Sequence, residues 1–278
     1  MHGFATIFQL TLAEARRRKL LLAALLCGLA FLGLFGLGFY FIHRDVTQHA
    51  LVAAVKKQMI LTTFALAGLF AVNFLTVMTA VLMPVDTLSG EIASGVMQTL
   101  ASKPVRRSTI VLGKWAAHGV VLAGYLLFMA GGVLAVARGI AHVTPPGIAP
   151  GLALILLEGL VLMTLSIAGG TRLSTITNGI TVLGLYGLAF VGSWTEQLGA
   201  LAGNETARHL GTLTSLLVPS EAMWQLAAWH MQPSVVRDLH LTPFSPVSVP
   251  NGAMVVWAVG YVLLTLAVAV RSLSRRPL

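Results

Sequence analysis

The sequence predicts an all-α, polytopic membrane bundle of six transmembrane helices, preceded by an amphipathic helix on the membrane surface. Three observations predict it. Only 10% of the 278 residues are charged, against about 25% in a soluble domain. Mean hydropathy is +0.86. Six nearly uncharged runs also reach the ~20 apolar residues that a ~30 Å hydrocarbon core demands. Such a chain has too few charges to coat a soluble globule, and disorder, disulfide scaffolds and ordinary soluble enzymes are excluded with it.

The elements follow in order along a single domain, residues 1–278. In residues 1–19, Phe4, Ile7, Phe8 and Ala15 share one helical face and the basic run Arg16–Lys19 follows. That pattern describes a helix lying in the interface rather than crossing it. The spans are expected at about 20–42, 59–84, 109–137, 148–170, 173–194 and 251–270. Lys114 enters the third near its start, where its long stem can snorkel. Glu158 lies inside the fourth. The first span is too long for a signal-peptide core and is expected to stay in the chain. Residues 195–250 form a long external loop, and its centre, Leu213 to Trp229, is apolar enough for a helix that dips into or rests on the outer leaflet. Pro219-Ser220 offers a start for the second half of that helix.

Basic residues sort the sides. Arg16–Lys19, Lys103, Arg106, Arg107, Lys114, Arg172 and the tail Arg271, Arg275 and Arg276 account for twelve of the 18. They fall on one side, and the remaining six are spread over longer loops. The positive-inside rule therefore places both termini in the cytoplasm. Much of the basic excess behind the net charge of +9 is topological, and no nucleic-acid partner is required.

Catalytic chemistry is thin. No G-x-x-x-x-G-K-[ST] is present, since Gly113-Lys114 is followed by Trp115, so the chain is not expected to hold ATP phosphates itself. Leu88-Ser89-Gly90 imitates the start of the LSGGQ signature, but Glu91 replaces the next glycine. No H-E-x-x-H exists, and no metal site or catalytic residue is assigned. Cys27, the single cysteine, excludes an internal disulfide. Asn204-Glu205-Thr206 matches a glycosylation sequon without consequence in a bacterial-type chain. External His209, His230 and His240, with Met223 and Met231, are the basis of a metal-handling alternative, but their spacing is irregular.

Residues 85–108 form a cytoplasmic connection. Leu88, Ile92, Val96, Met97 and Leu100 recur at helical spacing, so a helix is expected over 86–101. Pro104 terminates it. By composition such a helix is either an inert surface float or a handle for a partner.

This segment resembles the first cytoplasmic loop of ATP-binding-cassette export permeases of the second type. Their pattern runs as an acidic residue, three residues, Gly-Thr, an apolar stretch, Ser-x-Pro-Val-x-Arg and Gly-Lys. Glu91, Gly95, Ser102, Pro104, Val105, Arg107, Gly113 and Lys114 fall on it, and Val96 stands where threonine is common. The amphipathic start, six spans, long last external loop and basic tail agree. Within the family the chain looks most similar to single-domain permeases such as the one serving nitrous-oxide-reductase maturation. The resemblance implies that the 86–101 helix is a cytoplasmic coupling helix, with Leu88, Glu91, Ile92, Gly95, Val96, Pro104 and Arg107 as partner-binding residues. It also implies two copies of a separate ATPase subunit carrying ATP and Mg, a second permease copy or paralogue, and a bacterial inner-membrane location. The chain itself would be a transport subunit, not an enzyme, and would hold no cofactor.

The runner-up is an ion-coupled secondary transporter. Such proteins usually carry several charges deep in the membrane, whereas Glu158 is the one acid within an expected span. Asn73, His118 and Glu158, on three spans, all count to a similar depth near the midplane. Polar groups there face one another or a wet cavity. They are either structural glue between helices or the candidate substrate path, with Glu158 as the charge that discriminates cargo.

Overall fold

A computed structural model describes residues 2–48, 54–101, 106–238 and 246–276. Twelve helices and no strand occur among them: α1 (His2–Arg17), α2 (Lys19–Gln48), α3 (Ala54–Leu82), α4 (Ser89–Ala93), α5 (Val96–Ala101), α6 (Arg107–Ala141), α7 (Ile148–Gly170), α8 (Thr175–Ala202), α9 (Glu205–Leu217), α10 (Ser220–Met231), α11 (Ser234–Asp238) and α12 (Gly252–Arg275). Six of these, α2, α3, α6, α7, α8 and α12, are long and apolar enough to cross a bilayer. The chain is a six-span, all-α membrane bundle.

Side chains explain where several helices start. Ser174, Asn204 and Asn251 cap α8, α9 and α12, each accepting from a backbone N–H three residues on. Such caps satisfy amide groups that a helix leaves unpaired at its start. α6 ends at His142, which adopts a left-handed conformation. α6 has 35 residues, so it runs about 52 Å at 1.5 Å per residue. That exceeds the bilayer core, and α6 extends past it.

α3 and α7 are the central spans, whereas α2, α8 and α12 leave most of their apolar surface open. α7 packs against α3, α6, α10 and α12. Aromatic rings join α2 to α3, with Phe35 stacked on Phe64 at 5.6 Å between centroids. α1 lies across the start of α6, where Ile7 seats on Gly113; a Cβ there would stand 2.8 Å from Ile7 Cγ2.

The expected 195–250 loop is largely helical. α8 extends to Ala202, the chain reverses at Gly203 (φ +67°), and α9 returns along α8. Gly192, Gly199 and Gly211 let the two backbones meet: a Cβ on Gly211 would lie 2.6 Å from the Gly192 carbonyl oxygen. Pro219 then starts α10, which runs back beside α7 and is almost wholly buried. Met231 meets Gly151 in the first turn of α7, whereas Trp224 contacts Phe70 in the middle of α3 and Glu221 acts on Glu158 farther along α7, so α7 and α10 are antiparallel. Ser220 and Glu221 therefore lie about 15 Å deeper than Met231, roughly half of a ~30 Å hydrocarbon core. α9 and α10 form a re-entrant hairpin. Glu221 enters the bundle interior with it.

Candidate functional site

The first candidate region joins α3 to α6, at the end of the bundle that carries α1 and the last turns of α12. A continuous helix over 86–101 is not observed. Gly95 adopts φ +77° and divides the segment into α4 and α5. Its missing Cβ makes that left-handed conformation accessible, and apolar spacing alone gives no sign of the break.

The segment is clamped on one side. The Arg18 guanidinium, between α1 and α2, donates to Asp86 and to Glu14 at 2.6 Å. Half-burial works to raise the Glu14 carboxyl, but Arg18 holds it below its ordinary value. Burial likewise opposes the Arg18 charge, and the two carboxylates outweigh that effect and raise it. Lys114 Nζ of α6 lies 2.5 Å from Glu91 Oε1, with side chains 4% and 16% exposed. Ser89 and Thr175 share a hydroxyl hydrogen bond of 2.9 Å, which reaches α8. Leu88 and Met97 are buried with Ile7, Ile110, Val111 and Leu273. The Asn178 amide donates to the carbonyls of Val85 (3.1 Å) and Ser166 (2.8 Å).

These contacts engage part of the expected partner-binding set within the chain. Leu88 is buried and Glu91 is paired within the chain. Arg107 donates to the carbonyls of Leu273 (3.0 Å) and Arg276 (2.6 Å), so it fastens the end of α12 while staying half-exposed. Ile92 is half-buried against the same apolar cluster. Ala93, Ser94, Val96 and Gln98 are exposed, with Val96 at 46%; Gly95 is half-exposed between them. Pro104 lies outside the described residues.

The second region is the interior polar cluster. Asn73, His118 and Glu158 are 1%, 2% and 0% exposed, so all three face the protein interior. They do not converge. His118 contacts Thr87 at 3.2 Å and the Lys114 carbonyl at 2.8 Å, which places it with the clamp. α1 and the 85–89 connection pack on the first turns of α6, and His118 faces that connection. Asn73 and Glu158 do meet, and the charged group acting on Glu158 is Glu221 of α10. Tyr186 of α8 lies within the field of both acids.

Glu221 is the residue that sequence reasoning missed. It falls within the stretch that the sequence assigns to an external loop, and a carboxylate directly after Pro219-Ser220 in an apolar run is the signal that marks it. Among the described residues no group of three or more His, Cys, Asp or Glu side chains is arranged to hold a metal ion.

The six spans and the surface helix define a polytopic membrane protein. The chain belongs to the family described as ABC-2 family transporter protein, whose profile matches residues 7–278. No curated protein matches the sequence. Members of this family are the membrane permeases of ABC transporters, and they typically pair with an ABC ATPase subunit.

Proposed function

We propose that the chain is the permease subunit of an ABC exporter in a bacterial cytoplasmic membrane, with both termini in the cytoplasm. Two copies of a separate ATPase subunit bind ATP and Mg and dock on the 86–101 segment. The permease works as a dimer with a second copy or a paralogue. This chain supplies the path and the levers, and the partner supplies hydrolysis.

One observation carries the reading: α4 and α5 have a clamped side and an open side. The open side carries Ser94, Val96 and Gln98. The clamped side is fixed to α1, α6 and α8 through Arg18–Asp86, Lys114–Glu91 and Ser89–Thr175. Displacement of the segment by a closing ATPase is thereby transmitted to several helices at once, because packed elements move as bodies. Exposed apolar faces on α2, α8 and α12 give the dimer its contact surface. The test is co-expression with a candidate ABC ATPase subunit from the same organism. Val96→Glu with Gln98→Arg is expected to abolish ATPase co-purification while membrane insertion stays normal. Retained co-purification would return the segment to an inert surface role.

A further inference from the structure

The tip of the re-entrant hairpin brings a second acid to Glu158. Glu158 is 0% and Glu221 5% exposed. From the Gly151–Met231 contact, Glu158 lies about 10 Å and Glu221 about 15 Å down the two antiparallel helices. The axial offset is therefore about 5 Å. Both Glu158 oxygens and Asn73 Oδ1 are buried without an aligned hydrogen-bond partner, although the Asn73 amide stands beside the Glu158 carboxyl. All three of these atoms are acceptors when the acid is ionised. From the surrounding helices, α3 contributes Asn73, α8 contributes Tyr186 and α10 contributes Glu221. Among the described residues Glu158 and Glu221 form no ion pair with a lysine, arginine or histidine.

We propose that Glu158, Glu221 and Asn73 form a binding site for one monovalent cation, an alkali-metal ion or the ammonium group of a transported molecule. Buried charges persist when they are paired, and here the atoms lacking partners all accept. Two carboxylates and an amide oxygen supply hard donors of the kind that suit such cations. Glu221 sits in the first turn of α10, where the helix dipole already offsets part of its charge. The remaining demand is for a single positive charge. The site bridges α7 to the hairpin, so occupancy is expected to lock α10 in place. The inference goes beyond the ATPase-docking reading and requires no ATPase for its test.

The experiment is thermal unfolding of the purified full-length permease in nanodiscs at fixed pH and ionic strength. Sodium, potassium or methylammonium chloride replaces the chloride of bulky N-methylglucamine. At least one small cation is expected to raise the midpoint by about 4 °C at saturation. Glu158→Gln and, separately, Glu221→Gln are expected to lose most of that shift while remaining folded in N-methylglucamine. A response to sodium or potassium alone assigns a metal ion, and a response that includes methylammonium assigns an ammonium-accepting site. The proposal is overturned if none of the three cations shifts the wild type. It is equally overturned if the shift persists in both variants, or if only proton concentration moves the midpoint.

Discussion

Replacing Lys114 by methionine tests the clamp directly. Lys114 is nearly inaccessible, and its ammonium lies 2.5 Å from Glu91 Oε1. The other Glu91 oxygen is already buried without a partner. Lys114→Met keeps the stem volume but leaves an uncompensated carboxylate against the Leu88–Met97 apolar cluster. Removing one partner of a buried pair costs about 3–5 kcal/mol. Glu91 retains 16% side-chain exposure, and water reaching it lowers the expected cost to about 2–3 kcal/mol. That energy corresponds to roughly a 30- to 150-fold loss of protection against amide hydrogen exchange in the α4–α5 segment. Glu91→Gln combined with Lys114→Met removes both charges, so protection is expected to recover most of the way. The assay is exchange by mass spectrometry on the permease in nanodiscs, with wild type, both single variants and the double variant forming a cycle. A change under about threefold in Lys114→Met, or a double variant no better than the single, would refute the clamp as a source of rigidity.

Gly95→Ala forces a Cβ into the left-handed conformation at φ +77° and is expected to cost about 1–2 kcal/mol; the same exchange measurement reads it, with Gly95→Asn expected to be milder. Gly211→Leu drives a side chain into the Gly192 carbonyl and the Glu196 backbone, and faster proteolysis within 203–231 with the six spans intact is the expected readout. A cysteine at exposed Ser234, in a Cys27→Ser background, is expected to react with an impermeant thiol reagent in intact cells; labelling at Ser274 instead reverses the topology. Because Arg18 depresses the Glu14 carboxyl, the stability Glu14 contributes is complete above its ordinary value of 4.5 and is lost as pH falls below it. Glu14→Gln is expected to flatten that acid-side loss, measured as release of α1 by proteolysis.

The spans were legible because each run satisfies a physical length requirement that no other assignment of such apolar residues meets. The interior orientation of Asn73 and Glu158 followed from the cost of turning polar groups toward lipid. Other features depend on information that local pattern does not carry. The pairing of Glu91 with Lys114 joins residues 23 positions apart, and the helical spacing of Leu88, Ile92 and Val96 runs straight through the Gly95 break. His118 meets Thr87 rather than Glu158, because depth along a helix does not say which neighbour a side chain faces. Glu221 was missed because a hairpin entering halfway has the composition of an amphipathic loop; only the register of α10 against α7 discloses its depth.

The half-depth hairpin has a consequence for how the protein is made. Neither α9 nor α10, at 13 and 12 residues, is long enough to be stopped as a span while the chain is being inserted. Residues 205–231 are therefore expected to pass wholly across the membrane when first synthesised, leaving α8 in the bilayer and the hairpin in water. Its entry must then follow the assembly of α7 and α8, whose Gly147, Gly151, Gly192 and Gly199 provide the notches that receive it. Insertion of the six spans and completion of the fold are thus separate events in time. A pulse-labelled chain trapped between them would be fully membrane-integrated yet open to protease from the far side, and substitutions that fill the notches would lengthen that interval without affecting insertion itself.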